Sequence, residues 1–125
     1  MKPLNPKEIW SITRLAYWYF DRGRLHEAEA LSRGLIALDP RNGEAWLYFA
    51  ESRRHQGDLQ AATRAYAEAA RHLPDRPDIL LRLGRSYLRA NERTKARDAL
   101  LRARACAQEQ PGLLHRIEAL LQQAS

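Results

Sequence analysis

The 125-residue sequence predicts an all-α protein: three helix-turn-helix repeats and a C-terminal capping helix, seven helices wound as a right-handed α-solenoid. Three observations point there. Apolar residues recur at spacings of 3 and 4 and never alternate as strand residues would. The apolar runs break at Gly, Asn and Pro. The whole pattern returns when the sequence is shifted by 34 residues.

The elements follow in order. Asn5 suits an N-cap and Pro6 a first-turn position, opening a helix whose hairpin face is Ile12, Leu15, Ala16 and Tyr19. Gly23 breaks that helix, because a left-handed residue is needed where it ends. Leu25, Ala28, Leu35 and Leu38 mark its hairpin partner, and Pro40 ends it. The second unit has Trp46, Phe49, Ala50 and Arg53, then Gly57, Leu59, Ala62, Tyr66, Ala69 and Pro74. The third has Leu80, Leu83, Gly84 and Tyr87, then Asn91, Ala96, Leu100 and Ala103, with Asn in place of Gly at the break. Gln108 stands where the proline belongs, so this last hairpin helix is expected to run on towards Gln110. Pro77 and Pro111 suit first-turn positions like Pro6. Leu114, Ile117 and Leu121 form a half-copy that covers the open end of the stack. The expected units are 9–42, 43–76 and 77–110, with the capping helix at 111–124, in a single domain. Small pairs at the matching places, Ala16/Ala28, Ala50/Ala62 and Gly84/Ala96, allow the two helices of each hairpin to approach closely.

Composition narrows the class. At 45% hydrophobic the chain can bury a core, yet no stretch is long and apolar enough to span a membrane. The opening "MKPLNPKEIW" lacks an apolar signal run, which predicts a cytoplasmic protein. Cys106 is the only cysteine, so no internal disulfide forms; it is expected as a small core residue in a reducing compartment. The net charge is +6, from eighteen Arg and three Lys against 15 acidic residues. Residues 75–125 carry 10 basic and 6 acidic groups, so +4 of the +6 lies there. That favours an acidic partner or nucleic acid, with plain solvated helix faces as the alternative.

Nothing in the sequence builds a catalytic site. His26, His55, His72 and His115 are scattered, and none has a second His or a Cys at metal spacing. No glycine loop cradles a phosphate, and no Ser-His-Asp or Cys-His arrangement is present. The expectation is a non-enzyme with no metal and no cofactor.

Binding is what stacked hairpins offer, because the first helices line one concave surface. The residues expected to face it are Trp10, Thr13, Tyr17 and Phe20 in the first unit. The second contributes Glu44, Leu47, Glu51, Arg54 and His55, and the third Asp78, Leu81, Arg85, Leu88 and Arg89. This groove starts aromatic and ends with leucines flanked by arginines. Exposed apolar residues of this kind mark binding sites when contiguous. Arg82, Arg85 and Arg89 make a second stripe, suited to a carboxylate or acidic segment of a partner.

The chain resembles the tetratricopeptide repeat family, whose pattern is W-x₂-L-G-x₂-Y…A-x₃-F…P over 34 residues. The match is best in "AWLYFAESRRHQGDLQAATRAYAEAARHLP", where Arg53 replaces the patterned Tyr; Ser32 replaces an aromatic in the first unit. Co-chaperones of this family grip a C-terminal carboxylate. At the matching places stand Thr13, Tyr17, Tyr48, Asp78 and Arg82, of which only Arg82 fits, so a carboxylate clamp is not implied. The stretch "LAYWYFDRGRLHEAEALSRGLIALDP" also resembles the first repeat of small type III secretion chaperones. That resemblance implies a groove holding an extended segment of a client. The chain departs from those chaperones in being basic and in having only Met1 to Leu4 ahead of the first cap, where they carry a longer dimerising helical segment.

The leading expectation is a cytoplasmic adaptor or chaperone that binds a peptide or helix of a partner protein. A self-associating scaffold module, possible as a homodimer, is the alternative. Nucleic-acid binding through the Arg-rich third repeat is a third reading; the separation of aromatics from arginines argues against it. One residue stays apart. Trp18, in the run Tyr17-Trp18-Tyr19-Phe20, falls on a face with Ser11, Arg14 and Arg22, and its equivalents one and two periods on are Ser52 and Ser86. It is expected to be an oligomer or partner edge, covered by "MKPLN" or by a second molecule.

Overall fold

The computed structural model describes residues 3–125. It consists of seven α-helices: α1 (Pro6–Asp21), α2 (Leu25–Leu38), α3 (Gly43–His55), α4 (Leu59–His72), α5 (Pro77–Arg89), α6 (Arg93–Cys106) and α7 (Pro111–Gln123). Asn5 caps α1 in a capping box: its side chain accepts from the Glu8 amide at 2.8 Å, and Glu8 Oε1 accepts from the Asn5 amide at 3.1 Å. Pro6, Pro77 and Pro111 each open a helix, where the missing N–H costs no hydrogen bond. The hairpin turns pivot on Gly23, Gly57 and Asn91, with φ of +74°, +83° and +60°. Among the described residues only these adopt the left-handed conformation, and Asn is the side-chain-bearing residue that tolerates it.

Helices α1–α2, α3–α4 and α5–α6 pair as hairpins, and each hairpin packs its first helix on the second helix of the one before. Ala16, Ala28, Ala50, Ala62 and Ala96 are fully buried at these seams. Gly84 marks a close approach: a Cβ there would lie 2.6 Å from the Leu100 side chain of α6. The core runs continuously through Leu35, Tyr66, Leu80 and Leu100 to Ile117 of α7, which covers the end of the stack. The expected extension of α6 does not occur. It ends at Cys106, and Ala107 to Gln110 turn sharply, because Gln110 precedes a proline and is held out of the helical region. Cys106 is half-buried and free.

Two departures from the repeat pattern have structural reasons. Arg53, in the place of the usual Tyr, reaches back to the preceding repeat, where its Nε lies 2.9 Å from Glu29 Oε1. Its guanidinium also lies 5.2 Å from the Phe49 ring centroid. Ser32, in the place of an aromatic, is fully buried and donates to the Ala28 carbonyl at 2.6 Å. That bond satisfies its hydroxyl within the helix, so the small side chain costs no unpaired polar group.

Candidate functional site: an aromatic hollow and a buried carboxylate on the concave face

The concave face holds a hollow of about 340 Å³ lined by Arg14, Tyr17, Phe20, Glu44, Leu47, Tyr48, Arg76, Asp78 and Arg82. Its apolar wall is a ring cluster from two helices. Phe20 and Tyr48 have centroids 5.1 Å apart, Tyr17 and Tyr48 6.2 Å, and the Arg14 guanidinium lies 4.7 Å from the Tyr17 centroid. Tyr48 is buried and donates to Glu44 Oε2 at 3.2 Å; burial, then the Glu44 charge, pushes its phenol well above the usual range. Tyr17 remains 38% exposed, so its ring is open to a ligand. The polar wall includes Arg76 and Asp78, joined by two hydrogen bonds of 3.0 and 2.8 Å.

Behind this wall, Glu51 of α3 is 3% exposed and collects partners from three helices. Tyr66 of α4 donates to its Oε1 at 2.7 Å, Arg54 of α3 to its Oε2 at 2.9 Å, and Arg82 of α5 to its Oε1. Burial raises the Glu51 pKa, but the Tyr66 hydroxyl, Arg54 and Arg82 outweigh it and hold the carboxyl below its usual value. Burial, followed by the hydrogen bond to Glu51 and its charge, pushes the Tyr66 phenol up against the opposing effect of Arg54. Glu51 therefore ties the second and third repeats together and fixes two arginines at the rim of the groove.

The residues expected to line the groove differ in their exposure. Tyr17, Phe20 and Leu47 line the hollow. Arg54, Arg85 and Leu88 are half-buried, and Arg89 is exposed. Thr13, Leu47, Glu51 and Leu81 are 7%, 6%, 3% and 2% exposed, which corrects their reading as open contact surface. The reason is that neighbouring repeats close over these positions. Leu47 and Leu81 join the continuous core, and Thr13 Oγ1 accepts from Asn42 Nδ2 at 3.1 Å. Leu47 thus forms the floor of the hollow and presents little surface of its own. Trp10, 64% exposed, borders a neighbouring hollow with Leu4, Ile9 and Leu38 at the start of the stack, which shares Arg14 and Glu44 with the concave one.

Tyr48, Arg14 and Arg76 line the hollow without having been expected there. A signal for two of them exists, since 14, 48 and 82 are related by the 34-residue period and all three line the hollow. Trp18 does not gain the expected cover from the described part of the N-terminus; Met1 and Lys2 of "MKPLN" lie outside the described residues. Trp18 stays 42% exposed, with the Arg22 guanidinium 4.0 Å from its ring centroid and Tyr19 edge-on at 5.2 Å. At the equivalent places Ser52 donates to the Leu25 carbonyl at 3.0 Å, and the Ser86 hydroxyl bonds that of Thr63. Both serines face the second helix of the preceding repeat; no described repeat precedes Trp18. Leu15, read as hairpin core, is 45% exposed on α1 for the same reason.

Among the described residues no group of three or more His, Cys, Asp or Glu is placed to hold a metal ion. Nor is any of their helices long and apolar enough to cross a membrane.

Comparison with known proteins gives the same architecture. No curated protein matches the chain in sequence. Among solved structures, the type III secretion translocator chaperone SycD of Yersinia enterocolitica superposes with a TM-score of 0.85 at 18% identity, over 97% of this chain and 86% of that one. SycD in complex with a peptide of the translocator YopD gives 0.84 at 18% identity, over 98% and 96%. PcrH of Pseudomonas aeruginosa, in complex with the chaperone-binding region of PopD, gives 0.84 at 20% identity, over 99% and 96%. These likenesses establish the fold. Residues 53–123, more than half of the sequence, match the family model described as tetratricopeptide repeat. The chain belongs to the tetratricopeptide repeat family.

Proposed function

We propose that the protein is a small, non-enzymatic, cytoplasmic chaperone or adaptor of the type III secretion kind, holding a segment of a client protein in its concave groove. The observation that carries this reading is the ring cluster of Tyr17, Phe20 and Tyr48, whose open side no described residue covers. A preformed hollow with one aromatic wall and one charged wall is suited to a peptide segment that sets an apolar anchor residue beside polar groups. SycD and PcrH, which share the fold, have been solved with segments of the translocators YopD and PopD. Tyr17→Ala with Phe20→Ala removes the anchor pocket while leaving Ala16 and the hairpin seam in place. The double variant is expected to keep wild-type helicity by circular dichroism and to lose the client that the wild type retains in a pull-down from native cytoplasm. Equal retention by both proteins would refute the groove reading.

Self-association is a second reading, favoured by one observation: Leu15 and Trp18 are 45% and 42% exposed on the face of α1 that in later repeats is covered by a neighbouring helix. Light scattering over a concentration series tests it. A strict monomer at the highest concentration, for wild type and Trp18→Ser alike, would remove it.

A further inference from the structure

The far end of the concave face has more positive charge than the chain itself balances. Arg82, Arg85 and Arg89 lie at spacings of 3 and 4 on α5 and so share one side of that helix. Arg116 is one period beyond Arg82, and α7 packs directly on α5, so the repeat register brings Arg116 to the same face. Arg54 of α3 completes the group. Five guanidiniums are thus served by one carboxylate, Glu51, whose two oxygens are taken up by Arg54 and Arg82. Arg85, Arg89 and Arg116 form no ion pair with any described residue; the nearby Glu118 of α7 lies towards Arg104 instead. Burial, followed by the charges of Arg116, Arg89, Arg54 and Arg82, holds the Arg85 guanidinium below its ordinary value. Arg85 is half-buried, while Arg89 and Arg116 are exposed. Clustered like charges without a counter-charge disfavour one another, and a bound anion relieves that cost.

We propose that Arg85, Arg89 and Arg116 form an anion subsite that takes the carboxylates of an acidic segment of the bound protein. The inference rests on the groove reading and gives the client a chemistry: an aromatic or aliphatic anchor at Tyr17, Phe20 and Tyr48, with Asp or Glu further along. Arginine suits this role because its planar fork meets a carboxylate through two parallel hydrogen bonds. A peptide is favoured over single-stranded nucleic acid because no aromatic interrupts the arginine stripe to stack a base.

Arg82→Ala would leave Glu51 short of a partner and confuse folding with binding, so the test uses the three unpaired arginines. Random peptides displayed on phage are selected on the wild-type protein, and an enriched peptide is then synthesised and titrated. Selection is expected to enrich peptides that combine an apolar anchor with Asp or Glu. Arg85→Gln/Arg89→Gln/Arg116→Gln is expected to bind the chosen peptide about tenfold or more weakly, with unchanged helicity. On the wild type, affinity is expected to fall as salt rises. Peptides that need Tyr17 and Phe20 but show no excess of acidic residues, or a flat salt dependence, would overturn the subsite and leave the groove reading intact. Selection of no peptide at all would overturn both. An oligo-dT strand bound as tightly as the best peptide would also overturn the subsite as a peptide site, in favour of nucleic acid.

Discussion

Replacing Glu51 tests whether one buried carboxylate joins the repeats as the geometry indicates. Glu51→Ala removes the acceptor of three donors: Tyr66, which is 1% exposed, and Arg54 and Arg82, whose side chains are 32% and 31% exposed. The Tyr66 hydroxyl cannot reach water and is left unpaired, which costs about 1–3 kcal/mol. The two guanidiniums can re-solvate in part, so their loss falls well short of the cost of an uncompensated buried charge, about 3–5 kcal/mol. The sum is a destabilisation of about 2–4 kcal/mol, a large share of the roughly 5–15 kcal/mol typical of a domain. Glu51→Gln keeps an acceptor oxygen for Tyr66 but loses the charge and sets an NH2 donor against Arg54, so about 1–2 kcal/mol is expected. Urea unfolding followed by circular dichroism at pH 7 measures both. The acid limb provides a second check. Folding lowers the Glu51 pKa, so the carboxylate's contribution is complete above its ordinary value of 4.5 and is lost as pH falls through the folded value. The gap between wild type and Glu51→Gln should therefore close as pH drops below 4.5. Equal stabilities at pH 7, or a gap that persists unchanged into acid, would refute the reasoning.

Other substitutions address separate parts of the structure. Asn91→Ala, at φ +60°, should cost about 1 kcal/mol in urea unfolding, whereas Asn91→Gly should be neutral or better; equal losses would mean that the turn is not limited by its left-handed residue. Gly84→Val should destabilise by about 1–3 kcal/mol, because even a Cβ would meet the fully buried Leu100 at 2.6 Å. Ser52→Ala deletes the hydrogen bond to the Leu25 carbonyl across the first repeat junction and should cost about 1 kcal/mol. Trp18→Ser should lower the stability of the monomer by less than about 1 kcal/mol, since the ring is 42% exposed with a guanidinium as its main cover; a larger loss would identify Trp18 as core.

The hairpin turns and the first N-cap were legible in the sequence because their chemistry is local, whereas the caps by Asn42 and Asp58 were not read. Gly23, Gly57 and Asn91 are the residues that a left-handed pivot requires, and Asn5 with Glu8 specifies a capping box within four residues. What covers each helix face is not local. The spacing of Thr13, Leu47 and Leu81 indicates the direction of each side chain but not that the neighbouring repeat closes over it. Trp18 shows the converse: its period marks it for a flank that another helix approaches, and no described helix precedes α1; Leu15, read as hairpin core, is also left 45% exposed. Arg53 looks like a flaw in the repeat until its partner Glu29 is placed beside it, and that pairing spans two repeats. Tyr48 was recoverable from the register of 14, 48 and 82, which only the folded stack reveals as one wall.

The central claim, that a client lies in the concave hollow, is tested most directly by site-specific photocrosslinking. Photoreactive benzoylphenylalanine is placed at Tyr17, in the hollow, and in a second protein at Arg64, an exposed residue of α4 bordering hollows that share no residue with the concave one. After irradiation in native cytoplasm, the account predicts a discrete adduct with one client from position 17 and none from position 64. No adduct from position 17, or the same adduct from both positions, would contradict it.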